Sequence, residues 1–389
     1  MLRNRRVMIC GGGIAGISLA YWLHQYGFAP VIVEKSHALR DAGYMIDFYG
    51  SGYDVAEKMG ILPQLGQRHY PVPELDFVNS RGQTQSRIEL EKMRQLLNYR
   101  HFNFMRGDLV DILYAQIQDH VPVHFGVTIA DLRLRPDGVD VTFADGRQQT
   151  VDLVIGADGY HSQVRALLWG AESQFAYHLG YQVCCGIIDD FLGNQDTFYS
   201  YLEPGKQAAV YPIRGGRLAT FFVWQSPPRL SLSPAEQMTM LKETFAGMGW
   251  AIPQVVKEMM ALPRFYFDTV SQIRMPSWCQ GRVALVGDAC QCLTLVSGQG
   301  ASMALAGAYL LAEQLRLANG DHERAFAAYQ AQLKPEIEER QVRAEKFARS
   351  FVPHSAFGIR LQNLYLKVAF LPGFRLLFKQ FIGAKSIIK

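Results

Sequence analysis

Nowhere in the 389 residues is there an uninterrupted run of apolar side chains long enough to span a bilayer, so a bundle of membrane helices is excluded. The six cysteines, at 10, 184, 185, 279, 290 and 292, show none of the spacings of a zinc site or a thioredoxin-like pair, and no metal is expected. A chain of this size needs no disulfide staples, so a reducing cytoplasm is the expected home. There is no internal repeat, no low-complexity tract, no G-x-S-x-G, no H-E-x-x-H and no P-loop, which leaves no catalytic triad or metallopeptidase helix to name. Acidic residues are missing altogether after Glu345, while Lys and Arg continue to Lys389. The net charge of +4 therefore resides in the tail, on a mildly acidic body. That asymmetry points to a tail docked on the body or on an anionic surface, and it does not point to nucleic acid.

What is present is ordinary globular material, 49% hydrophobic and 19% charged. The N-terminus "MLRNRRVMICGGGIAGISLAYWL" has the basic-then-apolar look of a signal peptide, but four glycines break the apolar run and no clean cleavage pattern follows. It reads instead as one β-α-β unit: "RVMIC" a strand, "IAGISLAYWLHQYG" a helix, "PVIVE" the next strand. A loop, a helix at "YDVAEKMG", a strand-turn-strand at "ELDFVNSRGQTQSRIEL" and a helix at "RGDLVDILYAQI" come next. Residues 121–159 carry hairpin turns, and 174–275 read as a mixed sheet with a helical insertion at about 233–262. After a buried strand "GRVALVGDA" and a Gly-rich loop, "ASMALAGAYLLAEQL" and the remainder are helical, with Pro335, Pro353 and Pro372 marking kinks or joints. The expected class is α/β. Its domains are expected to be discontinuous: a first unit at 1–173 interrupted at about 61–100, a sheet domain at 174–275, the first unit again at 276–320, and C-terminal helices at 321–389.

Three motifs carry chemistry. Gly11, Gly13 and Gly16 stand in a G-x-G-x-x-G frame after a strand and at the start of a helix, with Glu34 21 residues beyond Gly13 at the end of the following strand. This is the dinucleotide arrangement: a tight turn, close approach of a pyrophosphate, a helix N-terminus toward the phosphates and a carboxylate for the ribose hydroxyls. It does not separate NAD from FAD. In "GADGYHSQVR", Asp158 ends a buried strand, where it serves either a ligand or a helix cap; His161 reads as a surface residue. In "GDACQCLTLVSGQG", Asp288 again ends an apolar strand, and Gly298-Gln299-Gly300 exposes N–H groups at a helix start. Cys290 and Cys292 have no partner ligands at metal spacing.

In this order the three motifs resemble the flavin-dependent aromatic hydroxylases of the para-hydroxybenzoate hydroxylase type, over nearly the whole chain, and within them the tetracycline-inactivating flavin monooxygenases. The resemblance implies a Rossmann-like FAD-binding domain with an interleaved mixed β-sheet substrate domain and C-terminal helices. It implies FAD held by Gly11, Gly13, Ile14, Ala15, Gly16, Glu34, Arg40, Asp47, Arg106, Asp288, Gly298, Gly300 and Ala301, with Lys35 associated with NADPH use and Asp158 in a shared FAD and NADPH motif. The implied activity is hydroxylation of an aromatic or polycyclic small molecule, a tetracycline or polyketide type included, by NADPH or NADH and O2 through a flavin C4a-hydroperoxide. The flavin carries the chemistry, so no catalytic side chain is named. Four positions depart from the family loop: Gln291 replaces a His, Leu293 and Leu295 replace prolines, and Ser302 replaces an Asn.

Two alternatives remain open on the sequence, a flavin-dependent halogenase and a protein that binds FAD and sequesters a ligand without oxygenating it. Halogenation is disfavoured because "GWAIP" at 249–253 has one Trp of the two in the halogenase element. The aromatic strands of 174–275 suit a flat ligand or an ordinary core, and no substrate residue is assigned. In the tail, Leu361, Leu364, Tyr365 and Val368 share one helical face and Phe374, Leu377, Phe378 and Phe381 another; docking on the protein is favoured over contact with a membrane. A monomer or a homodimer is expected.

Overall fold

The computed structural model describes residues 2–39, 44–227, 232–368 and 386–388. Its first sheet has six strands in the order Cys279–Gln280, Val283–Leu285, Leu153–Gly156, Arg6–Cys10, Ala29–Glu34 and Val123–Phe125, parallel except for the first pair. The central strands are buried on both faces, which is why they read as unbroken apolar runs and not as alternating ones. Helices Ile14–Gln25 and Gly300–Leu317 pack against this sheet, and Gly287, just after strand Val283–Leu285, lies close to both. A Cβ there would lie 2.7 Å from Ala15 Cβ and 3.9 Å from Ala304 Cβ. The Ala-rich sequence of the second helix thus has a packing reason.

The second sheet has seven strands in the order Tyr266–Ile273, Ala176–Asp189, Arg217–Gln225, Lys206–Ile213, Thr197–Glu203, Glu74–Val78 and Thr84–Glu89, all antiparallel except Thr197–Glu203 with Glu74–Val78. Period-two alternation splits its core. Cys184, Phe222 and Trp224 pack under helices Pro234–Phe245 and Ile252–Met260, whereas Cys185, Val183 and Val223 face the 295–296 segment and the end of helix His322–Phe351. The adjacent thiols of Cys184 and Cys185 therefore point to opposite faces.

Four sequence expectations change. "GYMIDFYG" falls in an expected loop, but Met45–Tyr49 is a strand paired antiparallel with His101–Met105, a ribbon between the two sheets. The Gly-rich loop after Gly287 contains a helical turn, Asp288–Gln291, and a 3-10 turn, Leu295–Ser297. Helix His322–Phe351 runs through Pro335 without a break, so that proline marks no joint, and the buried stripe Phe326, Tyr329, Leu333 and Ile337 packs on both sides of it; Pro353 does mark a joint, and Pro372 lies outside the described residues. The tail helix Ala356–Val368 docks, but by the face opposite to the expected one: Ile359 and Leu366 pack on Phe77 and Leu202, and Ser86 donates to Asn363 Oδ1 at 2.8 Å. With this face docked, Leu361, Leu364 and Tyr365 are exposed. The face formed by Phe374, Leu377, Phe378 and Phe381 lies outside the described residues. Among the described residues no helix is long and apolar enough to cross a membrane, and no group of three or more His, Cys, Asp or Glu could hold a metal ion.

Candidate functional site

The first strand is followed by Gly11, whose φ of +112° suits glycine and whose added Cβ would lie 2.4 Å from the Ala157 carbonyl oxygen. Gly16 is tighter still: its Cβ would stand 1.9 Å from Gly11 O. Ile14 and Ala15 are buried in the same helical turn. At Gly13 the space is open except for Arg106 Nη2, 3.7 Å from where a Cβ would be. Helix Ile14–Gln25 has no side-chain cap and no acid in its first turn, so its leading N–H groups face the cleft beside a guanidinium. That is an anion cradle, and the close approach that the glycines allow is what a pyrophosphate needs.

Carboxylates surround the cradle. Glu34 accepts from the Gly12 N–H at 2.7 Å and the Ser36 N–H at 2.8 Å, which orients it while leaving lone pairs for hydroxyl donors. Lys35 is exposed at the rim. Asp158 lines the same cleft and accepts from Ser162 Oγ at 2.5 Å and the Val164 N–H at 3.0 Å, so it caps helix Gln163–Leu168 from a cleft-lining position. Burial pushes its carboxyl up against those two hydrogen bonds. Asp288 is exposed, yet the protein packed around it pushes its carboxyl up, opposed by Arg106 and reinforced by Asp268.

Opposite stands helix Gly300–Leu317, again with no side-chain cap and no acid in its first turn; a Cβ on Gly300 would be 4.0 Å from Asp288 Oδ1. Ala301 follows in that turn. Gly298, at φ +66°, adjoins Asp47, whose Oδ2 is 3.8 Å from the added Cβ. Burial works to raise the Asp47 carboxyl, but His101 at 3.2 Å and Asn103 at 2.5 Å more than offset it and hold it below the usual range. Arg40 lies outside the described residues.

The structure also brings in residues that motif spacing does not single out. Arg165 is fully buried and donates to Ala289 O at 2.8 Å, Tyr160 O at 2.6 Å and Glu172 at 3.1 Å, tying the second motif to the third. A guanidinium with this many buried acceptors is costly to remove, of order 3–5 kcal/mol. The available signal was a lone Arg between apolar residues in "QVRALL". Cys290 and Cys292 are buried free thiols pushed well up by burial, which makes them unreactive.

His161 is a surface residue with a task. Its ring pairs with Glu172 at 3.0 Å and lies 3.8 Å from Asp268 on the other sheet, and these acceptors raise it to about 9. Because the folded value lies above the usual histidine value, its stabilising contribution is complete below about pH 6.5 and fades as the pH rises through about 9. The stability difference between the wild type and His161→Gln in urea titrations should therefore be visible at pH 6 and vanish near pH 10. A difference constant with pH would refute the pairing.

A family model described as "FAD binding domain" matches residues 4–339. The chain belongs to that family. A flavin-dependent monooxygenase of Legionella longbeachae is 34% identical over 347 residues, 88% of each chain. The crystal structure of tetracycline destructase Tet(55) superposes over 100% of both chains with a TM-score of 0.85 at 30% identity. Klebsiella pneumoniae HpxO, complexed with FAD and uric acid, shares the fold over 99% of this chain and 98% of its own, with a TM-score of 0.80 at 22% identity. The residues of this FAD-family cleft fit the cofactor: two uncapped helix ends and Arg106 match its anionic pyrophosphate and its electron-rich pyrimidine edge, and Glu34 and Asp288 match its hydroxyls.

Proposed function

We propose that this chain is an FAD-dependent monooxygenase that uses NADPH or NADH and O2 to hydroxylate an aromatic or polycyclic small molecule. One observation carries the reading: two open helix N-termini, Arg106 and Asp288 converge on a cleft beside an aromatic sheet face. When bound, the flavin supplies hydride acceptance and oxygen activation. The chain supplies the rest. Arg106 and the Gly13 turn neutralise the pyrophosphate, Glu34 takes the ribose and Asp288 the ribityl hydroxyls. The N–H groups of Gly300 and Ala301 support negative charge at the pyrimidine edge, and Lys35 at the rim meets the nicotinamide nucleotide.

The substrate class rests on Tyr44, Tyr266 and Phe221. They group with Leu295 between the second sheet and the loop, and are only partly buried. The Tyr44 and Tyr266 rings are 5.6 Å apart and tilted, and the Tyr266 hydroxyl donates to Asp268 at 3.2 Å. Rings that can open around a flat ligand, with one polar handle, suit a polycyclic phenol. The likeness to tetracycline destructase Tet(55) makes tetracycline-like scaffolds the first to test.

FAD-loaded protein, mixed with NADPH or NADH and a panel of polycyclic phenols and tetracyclines, should show substrate-stimulated nicotinamide oxidation and a product heavier by one oxygen. Ligand binding with neither response would establish sequestration in place of oxygenation.

A further inference from the structure

The loop between Asp288 and Gly300 is held from outside the three motifs. Helix His322–Phe351 crosses behind it and touches it at successive points. Near the start, the Gln291 side chain donates to the Tyr329 hydroxyl, which itself donates to Leu285 O at 3.1 Å. One residue on, Gln341 Nε2 donates to Cys292 O at 3.0 Å and to Ile273 O at 2.8 Å. At the far end, Arg340 Nη1 donates to Gln299 Oε1 at 2.7 Å, and Gln299 Nε2 reaches the Tyr49 hydroxyl at 3.4 Å. Between these fixed points Leu295 and Val296 pack on Ala348, Phe351 and Val352 of the same helix end.

The segment so held is strained. Thr294 has φ 144° and ψ 148°, a region that side-chain-bearing residues enter only when their surroundings over-determine them. Its neighbours Leu293 and Leu295 have no ring to fix φ, so backbone stiffness is not what maintains the conformation. It is held by the hydrogen bonds at 291, 292 and 299, by Ser297 Oγ donating to Thr294 O at 2.8 Å, and by the packing of Leu293, Leu295 and Val296.

We propose that Tyr329, Arg340 and Gln341 are positioning residues for the cofactor loop. The long helix supplies through side chains the rigidity that prolines at 293 and 295 would supply through the backbone, and so keeps the N–H groups of 298–301 aimed at the flavin. This rests on the flavin reading of the loop. None of the three touches the reacting atoms.

Arg340→Met is the cleanest probe, because Gln341 also satisfies Ile273 O and its loss would disturb the sheet. Wild type, Arg340→Met, Arg340→Lys and the double variant Arg340→Met/Leu293→Pro would be titrated with FAD as flavin-free proteins, and amide exchange followed in the FAD-loaded state. Loss of a supporting hydrogen bond of this kind should weaken FAD binding about 10-fold or more. Amides 293–299 should exchange faster while those of strand Arg6–Cys10 do not, and Lys at 340 should recover much of the loss. Leu293→Pro should also restore affinity and protection in the Met background, since Cys292 at φ −55°, ψ 117° already has the extended conformation that precedes proline. FAD uptake by the wild type with unchanged loop exchange in Arg340→Met, or no rescue by Lys or proline, would overturn the positioning role alone. A wild type that takes up no FAD would overturn the flavin reading and this role with it.

Discussion

Arg106→Met should leave a folded protein that no longer retains FAD through purification. The guanidinium occupies the space before Gly13 and acts on Asp288 across the cleft, so it is the cation shared by the phosphate cradle and the ribityl carboxylate. A charge-assisted hydrogen bond is worth about 1.5–3 kcal/mol, so affinity should fall by roughly 10- to 100-fold. Asp288 suffers a second effect. With Arg106 gone, the protein packed around its carboxyl acts without an opposing cation, which raises it further and weakens it as a hydroxyl acceptor. Lysine keeps the charge but lacks the planar fork, so Arg106→Lys should recover only part of the loss. Fluorescence titration of the flavin-free proteins measures both. Unchanged affinity in the Met variant would mean that the cradle does not hold the pyrophosphate.

The parts of this site that can be read in the sequence are those where one residue type has one physical use. Gly11 and Gly16 are required by backbone contacts, and Glu34 by the end of a strand that closes on a turn; spacing reports such constraints directly. The parallel sheet is legible for the same reason, since strands buried on both faces leave unbroken apolar runs. Arg165, Tyr329, Arg340 and Gln341 are not. Each acts through a partner 38 to 124 residues away, and no local pattern encodes that reach. The tail helix misleads differently. Its sequence offers an apolar stripe at Leu361, Leu364 and Tyr365, but the docked side carries Ile359, Leu366 and Asn363, which meets Ser86 in a polar contact that hydrophobic periodicity ranks last. The ribbon Met45–Tyr49 with His101–Met105 escapes a reading by local pattern because its pairing spans a long insertion.

Gly16→Ala should cost more stability than any other single methyl added to the fingerprint, and Gly12→Ala should cost almost none. The two glycines are four positions apart in one turn, yet a Cβ at Gly16 would stand 1.9 Å from Gly11 O, while at Gly12 the nearest atom is Glu34 Cβ at 3.4 Å. The first contact is with backbone, which no rotamer change can relieve. Helix Ile14–Gln25 would have to lift from strand Arg6–Cys10, and with it from Ala157, which already crowds Gly11. Overpacking of this kind costs about 3 kcal/mol or more, against changes within about 1 kcal/mol at a permissive site. Urea unfolding of the flavin-free proteins should show a large drop in midpoint for Gly16→Ala at unchanged slope, and FAD affinity should fall with it because the N–H groups of the helix end leave their positions. Gly12→Ala should bind FAD normally, since its N–H remains available to Glu34. Equal behaviour of the two variants would show that helix–strand contact does not fix the third glycine of the motif, and that the phosphate turn owes its shape to something other than the crowding of Gly16 against Gly11.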